Sequence, residues 1–169
     1  MDTNTGNWFS NQKKVSDAIQ NLDENGNETR TIIIPSSTGT VAADWTNTTG
    51  YATLAASKSA ADFVIPITGL KIGDVIKSFK VYGQIESAGG TVTVDAEMYR
   101  TVAVAADPTQ TSIGAITQIS VTADTLVGSS KTLAVEETVA TNESFIVAIT
   151  GTTASSTDIA ITAIEVTVN

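Results

Sequence analysis

The sequence contains neither cysteine nor histidine. These two absences exclude Ser-His-Asp and Cys-His catalytic triads, zinc sites built from thiolate or imidazole ligands, haem held by histidine, and a disulfide framework. A chain of 169 residues is nevertheless long enough to bury a hydrophobic core without such cross-links. We therefore expect one packed domain, and we assign no catalytic, cofactor-binding or metal-binding residue.

Basic residues are also scarce, with 9 Lys and Arg against 18 Asp and Glu and a net charge of -9. This balance opposes nucleic-acid binding, because contacts to phosphate require Lys or Arg. The sequence has no run of about 18 apolar residues that could span a bilayer, and its N-terminus lacks the basic and apolar regions of a signal peptide. We therefore expect no nucleic-acid partner, no membrane contact, and synthesis in a cytoplasm.

Threonine is abundant, at about one residue in six, whereas aromatic residues make up only 5% of the chain. Thr and Val favour strands because branching at Cβ restricts χ1 and suits a pleated surface. The composition therefore predicts an all-β protein whose exposed sheet faces are covered by hydroxyl groups.

The first thirty residues differ from the rest in being rich in Asn, Asp, Gln and Glu. Apolar residues recur there with helical spacing at Val15, Ala18, Ile19 and Leu22, behind an adjacent aromatic pair, Trp8 and Phe9. We predict an N-terminal arm with a short amphipathic helix over residues 1–30 and a β-sandwich domain over residues 31–169. The aromatic pair either staples the helix to its own domain or, as an interface with Val15, Ile19 and Leu22, docks on a neighbouring subunit.

Short strands separated by loops rich in Gly, Ser, Thr and Asp are expected along the rest of the chain, over residues 31–35, 51–55, 61–67, 79–86, 91–98, 113–121, 131–135, 144–150 and 158–168. This arrangement predicts an antiparallel β-sandwich of the jelly-roll type. Because Pro66 cannot donate a backbone hydrogen bond, its strand should lie at a sheet edge or carry a bulge.

Two strands show the clearest alternation. Phe79, Val81 and Ile85 share one face of the first, and residues 92, 94, 96 and 98 share one face of the second. The Gly89-Gly90 turn between them predicts an antiparallel hairpin.

The last strand changes phase near Ala163. Ile159 and Ile161 alternate in one phase, whereas Ile164, Val166 and Val168 follow the other. This slip predicts a β-bulge or a change of sheet, because register determines which face each side chain takes.

Carboxylates provide the only polar groups with a chemical interpretation. Asp95 and Glu97 have the residue types of a glycosidase pair, but neither is in apolar surroundings, which favours a solvated strand face. Asp124, Glu136 and Glu137 could ligate calcium, although no EF-hand loop is present.

Four aromatic residues, Trp45, Tyr51, Tyr82 and Tyr99, could form a platform on which sugars stack. Of these, Trp45 and Tyr51 are our candidate ligand-stacking residues. The alternative interpretation is that the rings close the rim of the core or a subunit interface.

Residues 63–76, the following Val81-Tyr82-Gly83, and residues 89–94 resemble β-sandwich modules of tailed-bacteriophage virion proteins. Within that group the chain is most similar to head decoration (cement) proteins and short head fibres. The resemblance implies a trimer on the capsid surface, with no catalytic residues.

Two functions are therefore expected. The first is a non-enzymatic virion structural protein that is assembled in the host cytoplasm, binds the major capsid protein or another virion protein, and stabilises the head surface as a homo-oligomer. The alternative is a carbohydrate-recognising adhesin or receptor-binding module of a tail or fibre.

Overall fold

The computed structural model describes residues 28–41, 44–103 and 108–169, and these ranges fold almost entirely as strands. In chain order they are β1 (Arg30–Pro35), β2 (Thr40–Val41), β3 (Trp45–Thr48), β4 (Tyr51–Leu54), β5 (Ala61–Pro66), β6 (Val75–Ser87), β7 (Val92–Val102), β8 (Thr109–Ala115), β9 (Ile119–Val121), β10 (Thr125–Thr138), β11 (Glu143–Thr152) and β12 (Thr157–Val168), with one 3-10 turn at Ser36–Thr38. The predicted N-terminal helix lies outside the described residues. Within them, no helix has the length and apolar character needed to cross a membrane.

The strands form two antiparallel sheets. Sheet 1 has the order β10-β6-β12-β4-β3, and β1 also pairs with β12. Sheet 2 has the order β2-β5-β11-β7-β8, and β9 also pairs with β7. The prediction of an all-β antiparallel sandwich is confirmed.

The pairing order is that of a jelly roll. The chain behaves as one long hairpin that has been rolled up, because the first long strand pairs with the last (β1 with β12) and successive pairs are nested inside it. These nested pairs are β5 with β11, β6 with β10, and β7 with β8. Such a roll leaves each sheet with one face on the core and one face in solvent.

The core lies between the two sheets and follows the alternation of the sequence. Fully buried side chains from sheet 1 meet those from sheet 2, and they include Phe79, Val81, Ile85, Ile159, Ile161, Ile164 and Val166 on one side and Phe63, Ile65, Val92, Val94, Met98, Val147 and Ile149 on the other. Burying a side chain of this size contributes about 1.5–3 kcal/mol. A core of this kind needs no cross-link.

The predicted hairpin between β6 and β7 is wrong. β6 pairs with β10 and β12 in sheet 1, whereas β7 pairs with β8, β9 and β11 in sheet 2. The turn after Ser87, whose hydroxyl donates to the Gly90 carbonyl at 2.8 Å, carries the chain from one sheet to the other. Alternation identifies the buried face of a strand, but two strands that face each other across a core alternate in the same way as two strands that share an edge.

The predicted phase slip near Ala163 is confirmed as a β-bulge. Ile161 is opposite Gly83 and Ala163 is opposite Tyr82, so Thr162 is an extra residue in β12. The bulge allows the apolar residues on both sides of the slip to point into the same core.

The strand that ends at Pro66 has an open side, as its proline predicted. β2 covers β5 only at Phe63 and Val64. The amide of Ile67 donates to the Phe145 carbonyl on the β11 side at 2.8 Å, so the nitrogen of Pro66 points away from β11, to the side where no described strand pairs with it.

Candidate functional site

Trp45 is a core residue, which contradicts its prediction as a ligand-stacking residue. Only 4% of its surface is exposed, and its ring stacks on Phe63 with a centroid distance of 5.2 Å. The indole N–H donates to the Ala61 carbonyl at 3.1 Å. Both the ring and the polar atom therefore have partners inside the protein, in line with the alternative interpretation of the aromatic residues.

Tyr51, the second predicted stacking residue, is 42% exposed at the start of β4. It lines a cleft of about 330 Å³ on the outer face of sheet 1, which we call the Tyr51 groove. The other lining residues come from the neighbouring strands and are Thr53, Gln84, Glu86, Asp158, Ala160 and Thr162.

The groove exists because a small residue lies between larger ones. In the sheet, Ala160 of β12 is directly opposite Thr53 of β4 on one side and Gln84 of β6 on the other. The methyl group of Ala160 forms the floor, and the longer side chains on both sides form the walls. Tyr51 lies just beyond the last position at which β4 pairs with β12, beside the bulge of β12.

Two carboxylates face each other at one end of the groove. Glu86 and Asp158 are directly opposite on β6 and β12, in an arrangement that normally destabilises a sheet. Glu86 accepts a hydrogen bond from the Gln84 amide at 3.3 Å, whereas within the described ranges the Asp158 carboxylate accepts none. A second cleft of about 270 Å³ shares Thr53, Glu86 and Asp158, so the groove continues toward the end of the sheet.

The predicted carboxylate pair of sheet 2 has structural partners. Glu97 accepts hydrogen bonds from the Tyr99 hydroxyl at 2.6 Å and from the Ser112 hydroxyl, and Asp95 accepts one from the Gln118 amide at 2.7 Å. The hydrogen bond to Glu97, together with desolvation and nearby negative charge, raises the pKa of Tyr99 above its usual value of 10.0. This cluster lies on an open strand face, where the two carboxylates do not oppose each other across a cavity.

The three carboxylates considered for calcium do not come together. Asp124 accepts a hydrogen bond from the Ser87 amide, Glu136 pairs with Lys77, and Glu137 pairs with Arg100. Among the described residues, no group of three or more Asp and Glu side chains is placed to hold a metal ion.

A second surface lies at the end of the sandwich where β5 passes to β6 and β10 passes to β11. A pocket of about 340 Å³ opens there, lined in part by Ile67, Leu70, Ile72 and Val139. Ile72 is 71% exposed, and Val135, on the part of β10 that leads to Val139, is 76% exposed. We call these five residues the end surface.

Ion pairs accompany the end surface. Arg30, in the first position of β1, pairs with Asp74 and donates to the Gly69 carbonyl at 3.3 Å. Arg100 pairs with Glu137 and lies 3.7 Å from Glu143. Two exposed aliphatic side chains, Ile72 and Val135, therefore lie at an end of the sandwich that also carries paired charges.

The predicted interface residues Trp8, Phe9, Val15, Ile19 and Leu22 lie outside the described residues. They precede Arg30 in the chain, and Arg30 is bonded to Gly69 and Asp74 at this same end. The strand that follows them in the chain, β1, therefore begins beside the end surface.

Of the Tyr51 groove, the sequence predicted only Tyr51 itself. The alternation of β6 indicates that Gln84 and Glu86 point outward, but their meeting with Tyr51 and Asp158 depends on strand order, which alternation does not reveal. Ile72 and Val135 gave no signal in the sequence, because an isolated aliphatic residue is common in loops and on strands.

No protein-family model and no curated protein sequence matches the chain. Among solved structures, the chain is similar to one from the T13 viral particle of infectious bursal disease virus, with 11% identity and a TM-score of 0.42, over 84% of this chain and 31% of that one. A chain from the Gt strain of the same virus has 16% identity and a TM-score of 0.37, over 83% and 33%. A CBM4 structure has 14% identity and a TM-score of 0.39, over 79% and 84%. The chain spans about a third of the length of these viral chains, and scores this low assign no function.

Proposed function

We propose that this protein is a non-enzymatic virion structural protein of a tailed bacteriophage, which decorates the head and stabilises it through oligomeric contacts. The observation that carries the proposal is the end surface. It combines exposed aliphatic side chains, a pocket and ion pairs beside the first residue of β1.

The contacts have a simple physical basis. Ile72 and Val135 are largely exposed to solvent in the isolated chain. Burying them against another subunit would therefore release water from apolar surface. Ile72 lies in the loop before β6, and the Asp74 carboxylate holds this loop in place by accepting a hydrogen bond from the Lys71 amide and pairing with Arg30. The arm residues Trp8 and Phe9 would add large aromatic contacts to the same interface.

Stabilisation of the head would follow from mass action. A protein that binds the assembled shell but not its dissociated subunits shifts the equilibrium toward the shell. Repeating one contact over a symmetric lattice multiplies this effect, and a trimer matches a threefold position in such a lattice. No covalent chemistry is needed, and the carboxylates Asp95 and Glu97 are already occupied by hydrogen bonds within the chain.

The test begins with purified phage particles that carry this protein. We expect it in the particle at a stoichiometry set by head symmetry, with density on the outer surface of the capsid. The heads of particles that lack the protein should come apart at a lower temperature than the heads of particles that carry it. Its absence from purified particles, or its position in the tail, would contradict the decoration role.

Variants then test whether the end surface makes the contact with the head. Ile72→Asp should reduce the occupancy of the protein on the head, because it places a charge in the proposed contact. Leu126→Asp is the matched control, since Leu126 is also a highly exposed aliphatic residue but lies on the outer face of sheet 1. An equal loss of occupancy in both variants, or a loss of occupancy only with Leu126→Asp, would show that the end surface does not contact the head.

A further inference from the structure

We propose that the Tyr51 groove is a binding site for uncharged polysaccharide. This inference goes beyond the assembly role, because it concerns the outer face of sheet 1 and not the end of the sandwich. It does not depend on whether the protein decorates a phage head.

The aromatic wall of the groove supplies the first element of sugar recognition. Tyr51 is 42% exposed, and it stands beside a floor made by the methyl group of Ala160. The C–H groups on one face of a pyranose ring pack well against an aromatic ring, and a shallow apolar floor lets the sugar approach that ring from the side.

The opposite wall supplies hydrogen-bond acceptors. Gln84 and Glu86 of β6 line the groove on the side opposite Thr53, and Asp158 lies two residues from Ala160 on β12 between these strands. Sugars present adjacent hydroxyl groups, and two hydroxyls can donate to two carboxylates in charge-assisted hydrogen bonds, which are stronger than bonds between neutral groups. The Asp158 carboxylate accepts no hydrogen bond within the described part of the chain, so its oxygens are available to such donors.

The facing carboxylates also give a reason why a ligand would be favoured. Glu86 and Asp158 are direct cross-strand neighbours, and like charges in this position repel each other. Hydroxyl donors placed between them would relieve part of that repulsion. The free protein therefore already contains a polar pair that is better satisfied when hydroxyl groups are bound.

The charge of the groove selects among ligand classes. Phosphates, nucleic acids and acidic polysaccharides would meet two carboxylates, and the groove residues include no Lys or Arg to offset them. A divalent cation would need more oxygen ligands than one facing pair provides. A chain of neutral sugars matches the acceptors, and the second cleft, which shares Thr53, Glu86 and Asp158, extends the path for further sugar units.

The experiment is a binding titration of the purified full chain. The probes are neutral polysaccharides (a dextran, a β-glucan, a galactomannan and a mannan), one acidic polysaccharide (alginate), and calcium chloride alone. We expect at least one neutral polysaccharide to bind and alginate not to bind. Failure of every neutral probe, stronger binding of alginate, or binding of calcium alone would overturn the proposal.

Variants then assign the binding to the groove. Tyr51→Ala should weaken binding about tenfold, the size of one aromatic contact, whereas Tyr51→Phe should retain it because the ring face is kept. Tyr99→Ala is the matched control on sheet 2 and should bind as the parent does. Asp158→Ala should lose affinity, and Asp158→Asn should lose less, because a neutral acceptor oxygen remains but the charge-assisted hydrogen bond does not. Unchanged binding in Tyr51→Ala would place the sugar elsewhere and overturn the assignment.

Discussion

Gly83 and the Ala160 carbonyl lie so close across β6 and β12 that a methyl group built on Gly83 would come within 2.3 Å of that oxygen. The contact lies next to the bulge at Thr162, whose hydroxyl donates to the Tyr82 carbonyl at 3.1 Å. The bulge brings the two backbones together, and only a residue without a Cβ fits between them.

Gly83→Ala should therefore destabilise the fold by about 1–3 kcal/mol, because either strand must shift to admit the methyl group. Unfolding in urea, followed by circular dichroism, measures the loss. Gly128→Ala is the control on the adjacent strand β10, where the nearest atom to a new Cβ is the Lys80 side chain at 3.8 Å. Equal stability of the two variants would contradict the steric explanation.

Trp45→Phe should destabilise the protein by about 1–3 kcal/mol while leaving polysaccharide binding unchanged. Phenylalanine can still stack on Phe63, but it cannot donate to the buried Ala61 carbonyl. The two measurements are a urea titration and the binding titration described above. Loss of binding without loss of stability would restore Trp45 as a ligand-stacking residue.

The raised pKa of Tyr99 predicts a specific loss of stability at high pH. Because the folded state holds the Tyr99 proton more tightly than the unfolded chain, its contribution is complete below pH 10 and is lost as the pH rises through the folded pKa. Unfolding free energies measured from pH 8 to 12 should fall less steeply in Tyr99→Phe than in the parent. The phenolate absorbance step that Tyr99→Phe removes should be centred above pH 10, and a step at or below pH 10 would contradict this.

Arg100→Met should destabilise the fold by about 1–3 kcal/mol. Arg100 pairs with Glu137 and lies near Glu143, and both carboxylates are largely covered, so removing the cation leaves them close together without compensation. Thermal unfolding measures the effect, and adding Glu137→Gln to the variant should restore part of the loss.

Lys58→Met is the control for Arg100→Met. The Lys58–Asp44 pair is more exposed on both sides, and such surface pairs contribute about 0–1 kcal/mol. A loss in Lys58→Met as large as that in Arg100→Met would show that burial is not what makes the Arg100 pairs matter.

Whether a sequence prediction was correct depended on how far apart in the chain the residues that decide it lie. The buried faces of the strands at Phe79 and Val92 were predicted correctly, as was the bulge near Ala163, because each depends on a few consecutive residues. The partner of β6 was predicted incorrectly, because a Gly-Gly turn can join two strands of one sheet or carry the chain across the core.

The sequence by itself determined that this chain forms sheets, which face of each strand is buried, and which chemistries it lacks. These properties are local, because side chains alternate along every strand and composition does not change on folding. Only the tertiary structure decided that Trp45 is buried, that Tyr51 and Asp158 line one groove, and that exposed aliphatic residues lie near the start of β1. Those arrangements depend on which distant strands pair, and pairing is selected by the packing of the whole core and not by any single segment.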